Sequence, residues 1–382
     1  MELSDYRQEI DRIDEELVQL FARRMAVADG IAALKAEKRL PVHDPARERE
    51  KLARVGEQAP PELRGYTERL YTMLFELSRA RQREGQPGVE GEALRERITR
   101  ALRDTPPLFP QRPMVAVQGV EGSNSQSACE KLFEAPNIMF FNSFEGVCRA
   151  IQQGLCRYGV LPLENSTAGS VNRIYDLMMA YDFSIVRSPR LKIDHCLLAA
   201  PGVAMSDIKE VVSHEQAIAQ CEDFLKSMGD IKVTRSENTA MAAKAVWETG
   251  RKDFAALSSL GCAELYGLNC LKSSVQDSGS NFTRFICIGR DLEIYPGADK
   301  TSVMMVLPHR PGSLYHALGR FYALGINLIK LESRPLPNSD FEFMFYFDLE
   351  TSVYSDEFMQ IFSDIAGMAT QFRYLGSYSE VV

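Results

Sequence analysis

The chain has 382 residues, 45% of them apolar, enough for two or three domains that each bury a core. A net charge of −8 at pH 7 gives no basic footprint for nucleic acid, and no apolar run reaches the ~20 residues that span a bilayer. The opening Met-Glu-Leu-Ser-Asp lacks a basic stretch followed by an apolar one, so a cytoplasmic protein with neither nucleic-acid nor membrane partner is expected. The eight cysteines form no Cys-x-x-Cys pair and the five histidines are widely spaced, which predicts buried reduced thiols and no metal site.

Residues 5 to about 38 have a helical pattern without proline, with Ile10, Ile13, Leu17, Leu20, Arg24, Val27, Ile31 and Leu34 on one seam. Leu40-Pro-Val-His-Asp-Pro-Ala46 breaks this helix, and Asp44 before Pro45 predicts a capped second helix. A third is expected from near Pro61 to about Arg83. Glu84-Gly-Gln-Pro-Gly88 opens a linker, a charged helical piece covers Glu90 to Arg103, and Thr105 to Pro113 stops it.

From Met114 strands alternate with helices, which predicts α/β lobes around a ligand crevice. Predicted strands include Val115–Gln118, Arg157–Pro162, Phe183–Val186, His195–Ala199, Glu210–Val212, Phe254–Leu257 and Phe285–Ile288. A last unit reads as strand Thr301–Leu307, helix Ser313–Leu324, strands Asn327–Ser333 and Glu342–Leu349, helix Asp356–Ala366 and a strand near Phe372–Ser377. That order, βαββαβ, implies one sheet with helices on one face.

Arg24 occupies an otherwise aliphatic seam, and a buried guanidinium requires an anionic or hydrogen-bonding partner. Lys35 borders the stripe about 16 Å further along the axis, whereas Arg7 lies roughly 25 Å from Arg24 at the helical rise, so a second protomer's Arg7 would have to complete any shared site. Asp44, Arg47 and Glu48 share a face of the second helix, and Ser78 and Gln82 are one turn apart on the third. With these eight polar positions the region resembles the all-helical, intertwined-dimer class of chorismate mutase. The resemblance implies that Arg24 and the partner's Arg7 hold the two carboxylates, Lys35 and Gln82 face the ether oxygen, and Glu48 meets the ring hydroxyl. Ser78 and the Asp44 backbone add polar contacts, with Arg47 in support.

Gly119-Val-Glu-Gly-Ser-Asn-Ser125 has neither Gly-Lys-Ser/Thr nor Gly-x-Gly-x-x-Gly, so it is a weak phosphate loop. Glu164-Asn-Ser-Thr-Ala-Gly-Ser170, Val212-Ser-His-Glu-Gln-Ala-Ile-Ala-Gln220 and Asn281-Phe-Thr-Arg-Phe285 taken together resemble prephenate dehydratase, over about Met114 to Gly289. The resemblance carries Asn165, Ser213, Gln220 and Thr283 into the cleft, with Ser166, Thr167 and Arg284 as substrate-binding residues and Arg284 as a carboxylate partner. Thr283 would donate to the departing hydroxyl. Val120, Asn124, Gln126 and Glu215 depart from the usual family pattern, whereas His195 reads as a core strand residue and His214 as the residue that opens a helix.

Gly312-Ser313-Leu314-Tyr315, after Arg310-Pro311, and Glu332-Ser333-Arg334-Pro335 resemble the ACT regulatory domain, over about Lys300 to Ser377. In that family the two motifs, from paired domains, bind phenylalanine. The expected architecture is thus multidomain: an all-α chorismate mutase domain over 1–88, a linker over 89–112, a two-lobed α/β dehydratase domain resembling periplasmic binding proteins over 113–290, and an α+β ACT domain over 298–380. The implied function is rearrangement of chorismate to prephenate and conversion of prephenate to phenylpyruvate, with phenylalanine as feedback effector and no metal or organic cofactor. A homodimer or a higher assembly is expected. The alternative is a mutase whose dehydratase-like lobes only bind an amino acid.

Overall fold

The computed structural model describes residues 2–38, 44–83, 89–309, 311–336, 342–355, 358, 362, 365–366 and 369–382. The chain divides into two compact units, Met1–Ala93 with Met359–Met368, and Leu94–Phe358 with Ala369–Val382. The expected break over 40–43, the linker start at 84–88 and Arg310 lie outside the described residues, as does most of the expected helix over 356–366.

The first unit contains α1 (Leu3–Glu37), α2 (Pro45–Gln58) and α3 (Arg64–Arg83). Asp44 caps α2 by accepting from the Arg47 backbone N–H at 3.0 Å, and Pro45 fills the first helical position, where no N–H is required. The third helix starts at Arg64 rather than near Pro61, because a turn in which Leu63 N–H donates to Pro60 C=O at 2.9 Å comes first. Along α1 the seam residues Ile10, Ile13, Leu17, Leu20, Val27, Ile31 and Leu34 are each 42–64% exposed, and Ala28 is the buried residue of this helix. A stripe of that length left to water is the signature of a surface made to be covered.

After α4 (Val89–Asp104) the chain forms β1 (Met114–Gln118), α5 (Asn124–Leu132), β2 (Asn137–Phe141), α6 (Phe144–Gln152), β3 (Tyr158–Asn165), β4 (Gly169–Ser170), α7 (Asn172–Ala180) and β5 (Ser184–Lys192). It crosses to a second lobe for β6 (Cys196–Ala199), β7 (Glu210–His214), α8 (Glu215–Gln220), α9 (Glu222–Ser227), β8 (Lys232–Ser236), α10 (Thr239–Thr249), β9 (Phe254–Ser258), α11 (Leu260–Tyr266) and β10 (Asn269–Lys272), and returns as β11 (Phe282–Gly289). Then follow β12 (Lys300–Val306), α12 (Ser313–Ala323), β13 (Asn327–Pro335), β14 (Phe343–Glu350), β15 (Gln371–Tyr378) and β16 (Glu380–Val381).

The first lobe's sheet has the order β16-β5-β11-β3-β1-β2 with β4 on β3, and the second lobe's β10-β6-β9-β7-β8. β11 runs antiparallel between β3 and β5, pairing Thr283 with Asn165 and Arg284 with Glu164. The register then slips between Arg284 and Phe285, so that Phe285 faces Pro162. The third sheet, β13-β14-β12-β15, is antiparallel. One face carries α12, with the Phe321 and Phe347 rings 5.3 Å apart. The other presents Met304, Val306, Met344 and Tyr346 to a core shared with Leu161, Leu163, Ile174 and Tyr175 of the first lobe. Where β15 crosses β5, a Cβ on Gly376 (φ 147°) would stand 2.2 Å from the Ile185 carbonyl oxygen, so glycine alone permits this approach.

Candidate active sites

In the helical unit a cavity of about 410 Å³ is lined by Arg24, Lys35, Asp44, Arg47, Glu48, Ser78 and Gln82, joined by Lys51, Tyr71, Phe75 and Arg79. Arg24 is held in place from α3. Its Nη1 donates to the Leu74 carbonyl at 2.9 Å and to the Ser78 hydroxyl, and its guanidinium stands 5.9 Å from the centre of the Phe75 ring. Partial burial keeps the Arg24 pKa below its ordinary value, so this cation gains from an incoming anion. Glu48 pairs with Arg79, a residue the sequence reading left out, and Gln82 Oε1 is buried without a hydrogen-bond partner among the described residues. Arg7 is exposed and does not line the cavity.

Between the two lobes of the second unit lies a larger cleft of about 660 Å³. Its floor is the pairing of β3 with β11. Asn165 Nδ2 donates to Thr283 Oγ1 at 2.9 Å and to Asn281 Oδ1 at 2.8 Å, while Asn165 Oδ1 accepts from the Thr167 hydroxyl at 2.7 Å and from the Ala168 N–H at 2.9 Å. Since the Thr283 oxygen accepts from Asn165, its own proton is directed elsewhere, and the cleft lies beside it. From the second lobe Gln220 Oε1 accepts from Asn281 Nδ2 at 3.0 Å and lies 3.0 Å from His195 Nε2, and Gln220 Nε2 donates to Thr167 Oγ1 at 2.6 Å. Burial depresses the His195 pKa, so the ring is neutral near pH 7, and the amide oxygen opposite it places the ring proton on Nε2. The N-terminal turns of α5 (Ser123, Asn124, Ser125) and α10 (Asn238, Thr239) also line the cleft, bringing unpaired backbone N–H groups from each lobe to one space.

Four expected site residues are placed otherwise, the first being Thr167, which does not line the cleft and whose hydroxyl donates to Asn165 and accepts from Gln220. Ser213 is fully buried and donates to the Leu257 carbonyl at 2.7 Å; alternation along β7 gives the cleft to His214 instead. Arg284 follows Thr283 on a strand, so it points to the opposite face, where it pairs with Glu164 at 2.7 Å and with Asp348, and it does not line the cleft. Ser166 is spent on backbone, donating to the Ser280 carbonyl at 2.7 Å and accepting from the Phe282 N–H at 2.9 Å. His195, His214, Ser170 and Asn238 reach the cleft without having been assigned to it. His214 also caps α8 by accepting from the Gln216 N–H. For Asn238 a usable sequence signal existed, because Asn before Thr-Ala-Met-Ala-Ala marks a helix cap. Of the departures from the family pattern, Gln126 ties its own loop, accepting from the Gly122 N–H and donating to Glu130, each at 2.8 Å.

On the third sheet, residues of β13 alternate: Lys330, Glu332 and Arg334 face the first lobe, with Glu332 accepting from the Ser170 hydroxyl and Arg334 paired to Asp176 at 3.0 Å, whereas Leu331, Ser333 and Pro335 are more exposed. Gly312 (φ 87°) opens α12, Ser313 and Leu314 form its first turn, and Tyr315 is exposed beside His316. Seven cysteines are buried and Cys270 is exposed; all are free. Among the described residues no helix is long and apolar enough to cross a membrane, and no cluster of His, Cys, Asp and Glu could hold a metal.

The profile of the chorismate mutase type II family matches residues 6–83, and that of the prephenate dehydratase family residues 115–293. A bifunctional chorismate mutase/prephenate dehydratase of Aquifex aeolicus (strain VF5) is 31% identical over all of this chain and 99% of its own. The chain belongs to that bifunctional family. The chain is also similar to arogenate dehydratase 2 of Petunia hybrida, 39% identical over 70% of this chain and 72% of its own. A prephenate dehydratase of Arthrobacter aurescens, solved in complex with L-Phe, superposes with a TM-score of 0.64 at 27% identity, covering 70% of this chain and 89% of that one. The helical cavity falls within the segment matched by the first profile and the interlobe cleft within that matched by the second.

Proposed function

We propose that the helical cavity rearranges chorismate to prephenate and that the interlobe cleft converts prephenate to phenylpyruvate, carbon dioxide and water, with phenylalanine as effector at the third sheet. The observation that carries the reading is the pairing of two unlike pockets on one chain, one cationic and one built of hydroxyls and amides.

The rearrangement is intramolecular, so the protein contributes a compact substrate conformation and charge stabilisation. Arg24 and Lys35 supply the cations, Gln82 presents a buried amide, and Glu48, steadied by Arg79, faces the ring hydroxyl. A second copy laid along the exposed α1 seam would bring its own Arg7 to the cavity, and the exposure of that apolar seam supports a homodimer that would cover it. This division of labour would assign the mutase to 1–88, the dehydratase to 113–290 and the sensor to 298–380, and a cytoplasmic location suits the substrates.

In the cleft, aromatisation drives the loss of carboxylate and hydroxyl, so a strong base is unnecessary. Thr283 donates to the departing hydroxyl, directly or through water, while Asn165, Gln220 and neutral His195 fix its orientation. The N-termini of α5 and α10 offer N–H groups to the carboxylates. An ACT-type sensor for phenylalanine would use Gly312 to Tyr315 and Glu332 to Pro335; the likeness to a dehydratase solved with L-Phe supports the ligand. The test is phenylpyruvate formation by the purified protein from chorismate and, separately, from prephenate, with and without phenylalanine. Turnover of both substrates, inhibited by phenylalanine, is expected; failure on prephenate alone would leave a mutase with a binding module.

A further inference from the structure

Behind the cleft floor lies a second set of paired residues that the chemistry does not use. Thr283 and Asn165 are register partners facing the cleft, and their immediate neighbours Arg284 and Glu164 are register partners on the opposite face. The bulge that follows places Pro162 on the cleft, so Leu163 and Glu164 both turn toward the third sheet, where Leu163 joins the core of Met304, Met344 and Tyr346.

Arg284 meets Asp348, a fully buried carboxylate on β14 that also accepts from the Ser302 and Tyr346 hydroxyls. Burial works against the Arg284 charge, but Asp348, with Glu164 and neighbouring tyrosines, outweighs it and raises the pKa, so the guanidinium keeps its charge. Lys330, the register partner of Asp348 on β13, pairs with Glu164 from the other side. Lys330 also donates to Ser170 at 3.0 Å, and the same hydroxyl donates to Glu332. Ser170 lines the cleft and is paired with Glu164 across the β3–β4 hairpin. Charges in so dry a setting interact strongly and tolerate little displacement.

We propose that Glu164, Arg284 and Lys330 are positioning residues for the dehydratase step, through which the seat of the third sheet sets the placement of Asn165, Thr283 and Ser170. This rests on the reading of the cleft as the prephenate site. A movement of β13 or β14 at an occupied effector site shifts the ionic partners of Glu164 and Arg284, and with them the backbone that carries the hydroxyl donor.

Two variants test it. Arg284→Leu/Asp348→Leu removes both buried charges together, and Lys330→Met removes the cation of β13 while leaving the Arg284–Asp348 pair intact. Each is followed by steady-state kinetics on prephenate, by mutase turnover on chorismate and by thermal unfolding. The expected result is a folded protein whose kcat on prephenate falls about tenfold or more with KM within about twofold, mutase turnover unchanged, and recovery in Lys330→Arg. Should the double variant fail to fold, Lys330→Met decides, since its side chain is 15% exposed. Folded variants with kcat within about twofold of the parent would overturn the proposal, as would a matching fall in mutase turnover. An unmodified chain that forms no phenylpyruvate would sink the dehydratase reading and this inference with it; an active chain with insensitive variants would sink the coupling alone.

Discussion

Asn165 and Thr283 stand opposite each other on β3 and β11, and the amide of the first donates to the hydroxyl of the second at 2.9 Å. Thr283→Val keeps the shape but deletes the donor. It is expected to lower dehydratase kcat by about 10² to 10⁴ with mutase turnover unchanged, read by phenylpyruvate absorbance against chorismate consumption. Equal losses in both reactions would instead indicate a folding defect.

The proposal that a second copy completes the mutase cavity leads to a complementation experiment. Arg7→Ala and Lys35→Ala are each expected to lose most mutase turnover. Mixed, unfolded together and refolded, they should recover about a quarter of the activity of the parent, because half the dimers are mixed and each mixed dimer has one intact site of two. No recovery would place Arg7 outside the site or refute the shared assembly.

Much of this was legible in the sequence, and the failures have physical causes. Asp44 and Pro45 announced α2 because a cap and a missing N–H are local requirements. The unpredicted strands β2, β8 and β10 lie at sheet edges, where Lys232-Val-Thr-Arg-Ser236 and Asn269-Cys-Leu-Lys272 need no buried alternation. Arg284 was misassigned because the predicted strand began at Phe285, whereas β11 starts at Phe282 and turns successive residues to opposite faces. Arg79 escaped notice because its partner Glu48 lies on another helix, a relation that no local spacing reveals.

His195 provides a test by pH. Its folded pKa lies below the ordinary 6.5, so between the two values the unfolded chain binds more protons than the folded one. Stability should therefore fall as pH drops below about 6.5 and level off beneath the depressed folded value. The His195 contribution is isolated by comparing urea unfolding of the parent and His195→Gln from pH 8 to 5. An imidazole proton resonance titrating at or above the ordinary value would contradict the buried neutral ring.

Glu210, at the start of β7, accepts from Lys232, Thr234 and Arg251, and those hydrogen bonds bring its pKa down from 4.5 to about 2. Its stabilising effect is present above 4.5 and is lost as pH falls toward 2. Glu210→Gln is expected to cost about 1 kcal/mol at pH 7, a modest figure because Lys232 and Arg251 are largely solvated, and to cost nothing once the parent carboxyl is protonated. Denaturant midpoints of parent and variant, followed from pH 7 to below pH 2, check both halves, the gap narrowing as pH falls from 4.5 and closing only beneath the folded value of about 2.

The short strand β16 lies parallel to β5 at the rim of the first lobe's sheet, with Glu380 bonded to Lys300 and Arg190. The third sheet is consequently stitched to that lobe at both ends, by the run from β11 into β12 and by the return through β15 into β16. Swinging the sheet away would break the β16–β5 pairing and the Glu380 ion pairs. Any displacement of the third sheet is therefore resisted at two points of the same lobe, and a graded shift along the β3–β11 seam is the motion this fastening favours.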